Sequence, residues 1–246
     1  RSVTVAGNLL SPEQKPAFLQ GIQSEYEKLR DDFNNKKVVK QFLRFEEAQK
    51  NKVKIDWSGF TPVAPTFTGT KQFDAYDLLE IRQYIDWQPF FIAWELHGKF
   101  PAILSDSVVG VEATKLYNDA NALLDKIVAE KWLTAKGTIG FWPANSDGKD
   151  SVQVRSTNSE VRLEFLRQQI KKTEGQPNIS LADFIAPAET KAQDYIGAFS
   201  VTIHGIDEHI KRFEAAHDDY NKIMLQALAD RLAEAFAEVL HQRTRK

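Results

Sequence analysis

Apolar residues recur every three or four positions along 219–240, DYNKIMLQALADRLAEAFAEVL, and that spacing predicts a long helix with one face turned to a core. The same period runs through VVGVEATKLYNDANALLDKIVAEKWL, where Val111, Leu116, Leu123, Leu124, Ile127 and Val128 carry it. Shorter helices are predicted over FDAYDLLEIRQYI, DWQPFFIAWELHG and IDEHIKRFEAAH. Asp86 stands where an N-cap would open the second of these and Gly98 where a C-cap would close it, while Asp218 or Asp219 can cap the long terminal helix. Between them the period shortens to two. GTIGFWPA, DSVQVR, VRLEFLRQQ and DYIGAFSVTI are short, rich in β-branched or aromatic residues and separated by turn residues, so they read as strands of a largely antiparallel sheet. The Pro- and Thr-rich stretch TPVAPTFTGT (61–70) cannot be helical and predicts an extended entry to this domain.

The first forty residues read as a separate piece. VTVAGNLL alternates weakly and predicts a strand, and SPEQ then opens a helix with Ser11 as N-cap, Pro12 at the first helical position and Gln14 two residues on, running to about Phe33. Strand followed by helix is the unit of doubly wound α/β sheets, but one unit cannot form a sheet alone, so it reads as the edge of a preceding domain. Asn34–Lys54 is polar and charged, with an amphipathic patch at VVKQFLRFEEA, as expected of a linker. The expected fold class is therefore α+β, a largely antiparallel twisted sheet flanked by helices, preceded by a strand–helix remnant. The expected division is 1–35 for the remnant, 36–60 for the linker and 61–246 for the main domain.

Composition narrows the function classes. With 42% hydrophobic and 11% aromatic residues in 246, the chain can bury a sizeable core. It has neither an apolar run long enough to span a membrane nor a basic, then apolar, secretory leader, and a cytoplasmic protein is expected. The absence of Cys removes disulfides, thiolate metal sites and cysteine nucleophiles together. A net charge of −2 supplies no global attraction to nucleic acid or anionic membrane, and the short cluster Lys36, Lys37 and Lys40 reads as solvated linker.

The familiar catalytic motifs GxGxxG, GxxxxGK[ST], GxSxG and HExxH are missing, which also disfavours a nucleotide-fold methyltransferase. The five His are scattered and form no ligand pair at helical spacing, so no metal site is expected. Three acids draw attention instead. Asp86 in YIDWQPFF has the plain reading of a helix cap, and Glu234 that of a solvated face residue. Asp230 lies one turn before Glu234, and carboxylates so placed repel unless a cation or hydrogen-bond donors lie between them. Together they suit a positively charged ligand.

The words YIDWQPFF, GKFPAIL, VVGVEA, LRQQ, LADFIAP, DYIGAF, HDDYNKIM and ALADRLAEAFAEVLH, in this order and spacing, resemble the C-terminal reactivation domain of cobalamin-dependent methionine synthase. The resemblance spans the whole chain, with residues 1–35 similar to the last strand and helix of the cobalamin-binding domain. It implies a domain that binds S-adenosylmethionine and presents its methyl group to cob(II)alamin while a flavodoxin or flavoprotein reductase supplies an electron. The parent enzyme would carry a methyl group from 5-methyltetrahydrofolate to homocysteine to make methionine, with cobalamin on the neighbouring domain of the same polypeptide and zinc elsewhere in the parent. In such a scheme the cofactor carries the hard chemistry and the protein binds and orients, so no catalytic side chain is expected in this chain. By resemblance Asp86 would bind the amino end of S-adenosylmethionine, Glu234 would form a wall of its site, and Asp230 would meet the displaced histidine of the cobalamin domain. The family's RPAPGYP segment is not found in this sequence, so a chain of this extent is expected to bind S-adenosylmethionine weakly or not at all and to be inactive alone. The alternative expectation is a non-catalytic docking module for the cobalamin domain and the reductant. Asp207-Glu208-His209 also begins like the D-x-H-x-x-G loop that supplies a cobalt-ligating histidine in cobalamin proteins, but Arg212 holds the glycine position within a predicted helix, and the match is read as chance.

Overall fold

The computed structural model describes residues 2–36 and 40–245, so Lys37 of the basic cluster lies outside the described residues. The chain divides into two compact units, one of residues 1–53 with 167–179, the other of residues 54–166 with 180–246.

In the first unit, α1 spans Ser2–Leu10 and α2 Lys15–Lys36. VTVAGNLL is thus helix and not the predicted strand. A lone strand has no neighbour to take its backbone hydrogen bonds, whereas a helix satisfies them internally, and the Ser11 N–H continues the pattern onto Gly7 O at 3.1 Å. The Ser11 turn forms as expected, its hydroxyl accepting from the Gln14 N–H at 3.3 Å. After a short helix α3, Phe45–Lys50, the polar segment is held by the 167–179 loop. Leu43 N–H donates to Gln169 O and Lys171 N–H to Gln41 O, each at 2.8 Å. Asn178, fully buried, is the hub: its amide donates to Gln168 O at 2.8 Å and Ile170 O at 3.0 Å, and its side-chain oxygen accepts from Asn51 at 2.8 Å.

The second unit carries the sheet: β1 (Gly69–Tyr76), β2 (Thr134–Ser146), β3 (Ser151–Arg155), β4 (Glu160–Glu164) and β5 (Asp194–His204). Its helices are α4 (Leu78–Arg82), α5 (Trp87–Ala93), α6 (Gly110–Ala129), α7 (Ile206–Ala215) and α8 (Asp219–Thr244). Every strand pair is antiparallel, as expected. The long β2 is the centre of the sheet: β5 runs along it from Thr134↔His204 to Ala144↔Asp194, while β1 pairs with residues 135–141 and β3 with 144–146. The stretch FDAY belongs to β1 and not to the predicted helix. Phe73, Tyr76 and Leu79 fit a three-residue period, but pairing with β2 decides the matter, and Asp77 then caps α4 through the Leu79 N–H.

α8 lies against β5, α4, α5, α6 and α7 and buries Met224, Leu225, Leu228, Leu232, Phe236 and Leu240. Phe236 sits 4.8 Å from the Tyr76 ring and close over Gly137, where an added Cβ would lie 2.8 Å from Phe236 Cζ. Glycine is therefore required in β2 by the approach of the helix. On α6 the expected core positions Leu116, Leu123, Leu124 and Ile127 are buried, whereas Val111 is 88% exposed because it lies on the face opposite Ala113, Leu116 and Ala120. The DEH segment opens α7, where His209 stacks on Trp132 at 4.3 Å and Arg212 covers the same ring at 4.4 Å. These side chains are engaged in packing.

Candidate functional site

Asp86 precedes α5 in extended backbone geometry, and its Oδ1 accepts from the Gln88 N–H at 2.9 Å. The cap follows from sequence: Asp before Trp-Gln-Pro, with the Trp87, Phe90 and Phe91 side chains buried behind it. The carboxylate itself is exposed, and Oδ2 has no hydrogen-bond partner among the described residues. α5 ends at Ala93, earlier than Gly98, because Glu95 turns into the left-handed region at φ 58°. Gln88 then bridges the returning chain, accepting from the Phe100 N–H at 2.9 Å and donating to Gly98 O.

α8 brings Asp230 and Glu234 together through a residue that sequence reasoning passed over. Arg231 donates from Nη1 to Glu234 Oε2 at 2.7 Å, from Nη2 to Glu234 Oε1 at 2.9 Å, and from Nη2 to Asp230 Oδ2 at 2.7 Å. The fork on Glu234 is the planar bidentate geometry that guanidinium and carboxylate favour. Its guanidinium is the cation that the spacing of the two acids called for. Burial works against the charge of Arg231, and the hydrogen bonds to Asp230 and Glu234 outweigh it, holding its pKa above the usual arginine range. The three side chains differ sharply in exposure: 9% for Arg231 against 69% for Asp230 and 62% for Glu234. The signal that could have found Arg231 is its position among buried helix neighbours Leu228, Leu232 and Ala235, a place where a cation needs adjacent acids.

Among the described residues Asp86 makes no hydrogen bond or ion pair with Asp230 or Glu234, although α5 packs on α8. No group of three or more His, Asp or Glu among the described residues could hold a metal ion, and no helix is long and apolar enough to cross a membrane. A cleft of about 970 Å³ opens elsewhere, between Phe67, Phe73, Phe141 and Tyr195 and the end of α8, and contains none of the three acids. Its Arg243 is engaged by Glu80 at 3.0 Å.

Residues 77–246 match the family described as vitamin B12 dependent methionine synthase, activation domain. The chain belongs to that family. It is also similar to the crystal structure of the MetH reactivation domain bound to AdoHcy, at 48% identity and a TM-score of 0.78 over 83% of this chain. The chain spans 64% of that relative's length, a little under two thirds. Asp86, Asp230, Arg231 and Glu234 all fall within the matched residues of this activation domain. At these four positions the chemistry is that of acceptors: exposed carboxylate oxygens, one pair held in place by a buried guanidinium.

Proposed function

We propose that this activation domain binds S-adenosylmethionine for the reductive methylation of cob(II)alamin, within a methionine synthase that transfers a methyl group from 5-methyltetrahydrofolate to homocysteine. The observation that carries the reading is the 48% identity to a reactivation domain solved with AdoHcy, which is S-adenosylmethionine less its methyl group. Cobalamin, when held by another domain of the same polypeptide, would supply the methyl acceptor, a flavodoxin-type donor the one electron needed, and AdoHcy would be the product left on this domain. This chain's own residues bind and orient. Asp86 offers its free Oδ2 to the ligand ammonium while Oδ1 stays on the helix N-terminus. Glu234 walls the sulfonium end, and Asp230 accepts from an imidazole of the cobalamin domain when the two domains meet. Carboxylates suit a ligand with two cationic centres because charge-assisted hydrogen bonds are roughly twice as strong as neutral ones. Zinc belongs to other parts of the parent enzyme, and the setting is the cytoplasm, where reduced flavoproteins are available.

The test is reactivation kinetics in the complete methionine synthase polypeptide. Asp86→Asn and Glu234→Gln are each expected to raise the KM for S-adenosylmethionine about tenfold, the value of one charge-assisted contact. Circular dichroism confirms the fold of each variant. Unchanged KM values in folded Asp86→Asn and Glu234→Gln enzymes would overturn the reading.

A further inference from the structure

Arg231 sits on the buried face of α8, yet its guanidinium donates to the exposed acids beside it. Its side chain is 9% exposed and flanked along the helix by buried Leu228, Leu232 and Ala235, so the stem is anchored by packing and cannot swing outward to meet a ligand. What it reaches it holds firmly. Both oxygens of Glu234 and one of Asp230 are taken from the protein side at 2.7–2.9 Å, which fixes the planes of two carboxylates that remain 62% and 69% exposed. Each oxygen has more than one lone pair, so the outward-facing acceptors stay open.

We propose that Arg231 is a positioning residue: it fixes Glu234 for the cationic part of S-adenosylmethionine and Asp230 for the imidazole of the cobalamin domain, without itself touching either. The inference rests on the binding role proposed above for Glu234. A lysine in its place keeps the charge but cannot span three carboxylate oxygens in one plane, because its ammonium is a point charge with no fork. Methionine keeps the packed stem and removes both charge and fork. The exposed acids are then still solvated by water, so the fold tolerates the change, but the two side chains sample separate rotamers and the ligand must order them on binding.

The experiment uses the complete methionine synthase polypeptide and follows KM for S-adenosylmethionine and kcat in reactivation, with thermal unfolding as the control on folding. Arg231→Met is expected to raise KM about tenfold with kcat changed less than about twofold, and Arg231→Lys to remain impaired about fivefold despite its charge. The effects of Arg231→Met and Glu234→Gln on KM are expected to be non-additive, because both act through the Glu234 carboxylate. A wild-type KM in folded Arg231→Met enzyme overturns the proposal, and so does full recovery of KM by lysine, since either means that packing or charge alone is served. If Arg231→Met does not fold, Arg231→Lys, alone and combined with Glu234→Gln, decides the question by the same criteria. If Glu234→Gln leaves KM unchanged while Arg231→Lys raises it, the binding role of Glu234 fails and with it this inference. If Glu234→Gln raises KM while both Arg231 variants leave it unchanged, only the positioning role fails.

Discussion

The two longest helices of the chain, α2 with 22 residues and α8 with 26, both carry apolar side chains at helical spacing, but they have opposite fates. α8 buries ten residues against the sheet and its neighbouring helices. In α2 the stripe Phe18, Ile22, Tyr26, Leu29 and Phe33 leaves no described residue buried, with Tyr26 at 54%, Leu29 at 56% and Phe33 at 68% exposure. Periodicity states which face of a helix gains by burial; it does not supply the surface that buries it. A helix with one saturated face can also place a cation such as Arg231 among apolar neighbours, because the acids that balance it stand at the rim of that face.

The sharpest way to break the contrast is a pair of truncations. Phe236→Ala removes a fully buried ring packed 4.8 Å from Tyr76 and is expected to cost about 3–5 kcal/mol in urea unfolding. Leu29→Ala on α2 is expected to stay within about 0.5 kcal/mol, as for other exposed positions. Comparable losses at the two sites would abolish the distinction. A smaller effect probes the polar hub of the first unit. Asn178→Ala strips the donors from Gln168 O and Ile170 O and is expected to cost about 1–3 kcal/mol, read as faster amide exchange in 41–51 and 167–179 with the centre of α8 unchanged. Faster exchange across α8 as well would mean that the two regions do not respond separately.

The mildest test is alkaline. Burial pushes the Tyr76 phenol up to about 12, with Arg243 opposing, and burial followed by the hydrogen bond to Asp119 does the same for Tyr220. Both groups hold their protons more tightly folded than unfolded. The stability they contribute is full below pH ~10 and is lost as the pH rises from there through about 12. Thermal melts followed by circular dichroism between these limits should fall in midpoint, and a flat profile would show that neither the packing of Tyr76 on Phe236 nor that of Tyr220 on Trp94 holds its phenol protonated.

Much of this architecture was legible beforehand, for reasons that lie in particular residues. Ser11, Asp86 and Asp218 each accept from a backbone N–H two or three residues on, a short-range interaction that needs nothing distant. The strands β2 to β5 announced themselves by alternation and by the turns between them. The misreadings occurred where two local patterns were nearly equal. The alternation in VTVAGNLL fits a strand, but no strand lies beside it to pair; FDAY fits a helix, but β2 offers it a ladder from Gly69↔Phe141 to Tyr76↔Ala135. At the site, the spacing of Asp230 and Glu234 was visible and called for a cation or hydrogen-bond donors between them, while the part played by Arg231 was not.

Local chemistry therefore settled the caps, the helical faces, the strand alternation and the acidic character of the site, since each depends on residues within a few positions of one another. Which faces found a partner, which segments joined the sheet, and that Arg231 lies nine-tenths buried beneath two exposed carboxylates were decided by long-range packing. Hydrophobic burial is non-directional, so a pattern can demand it, but only the assembled fold determines what covers what.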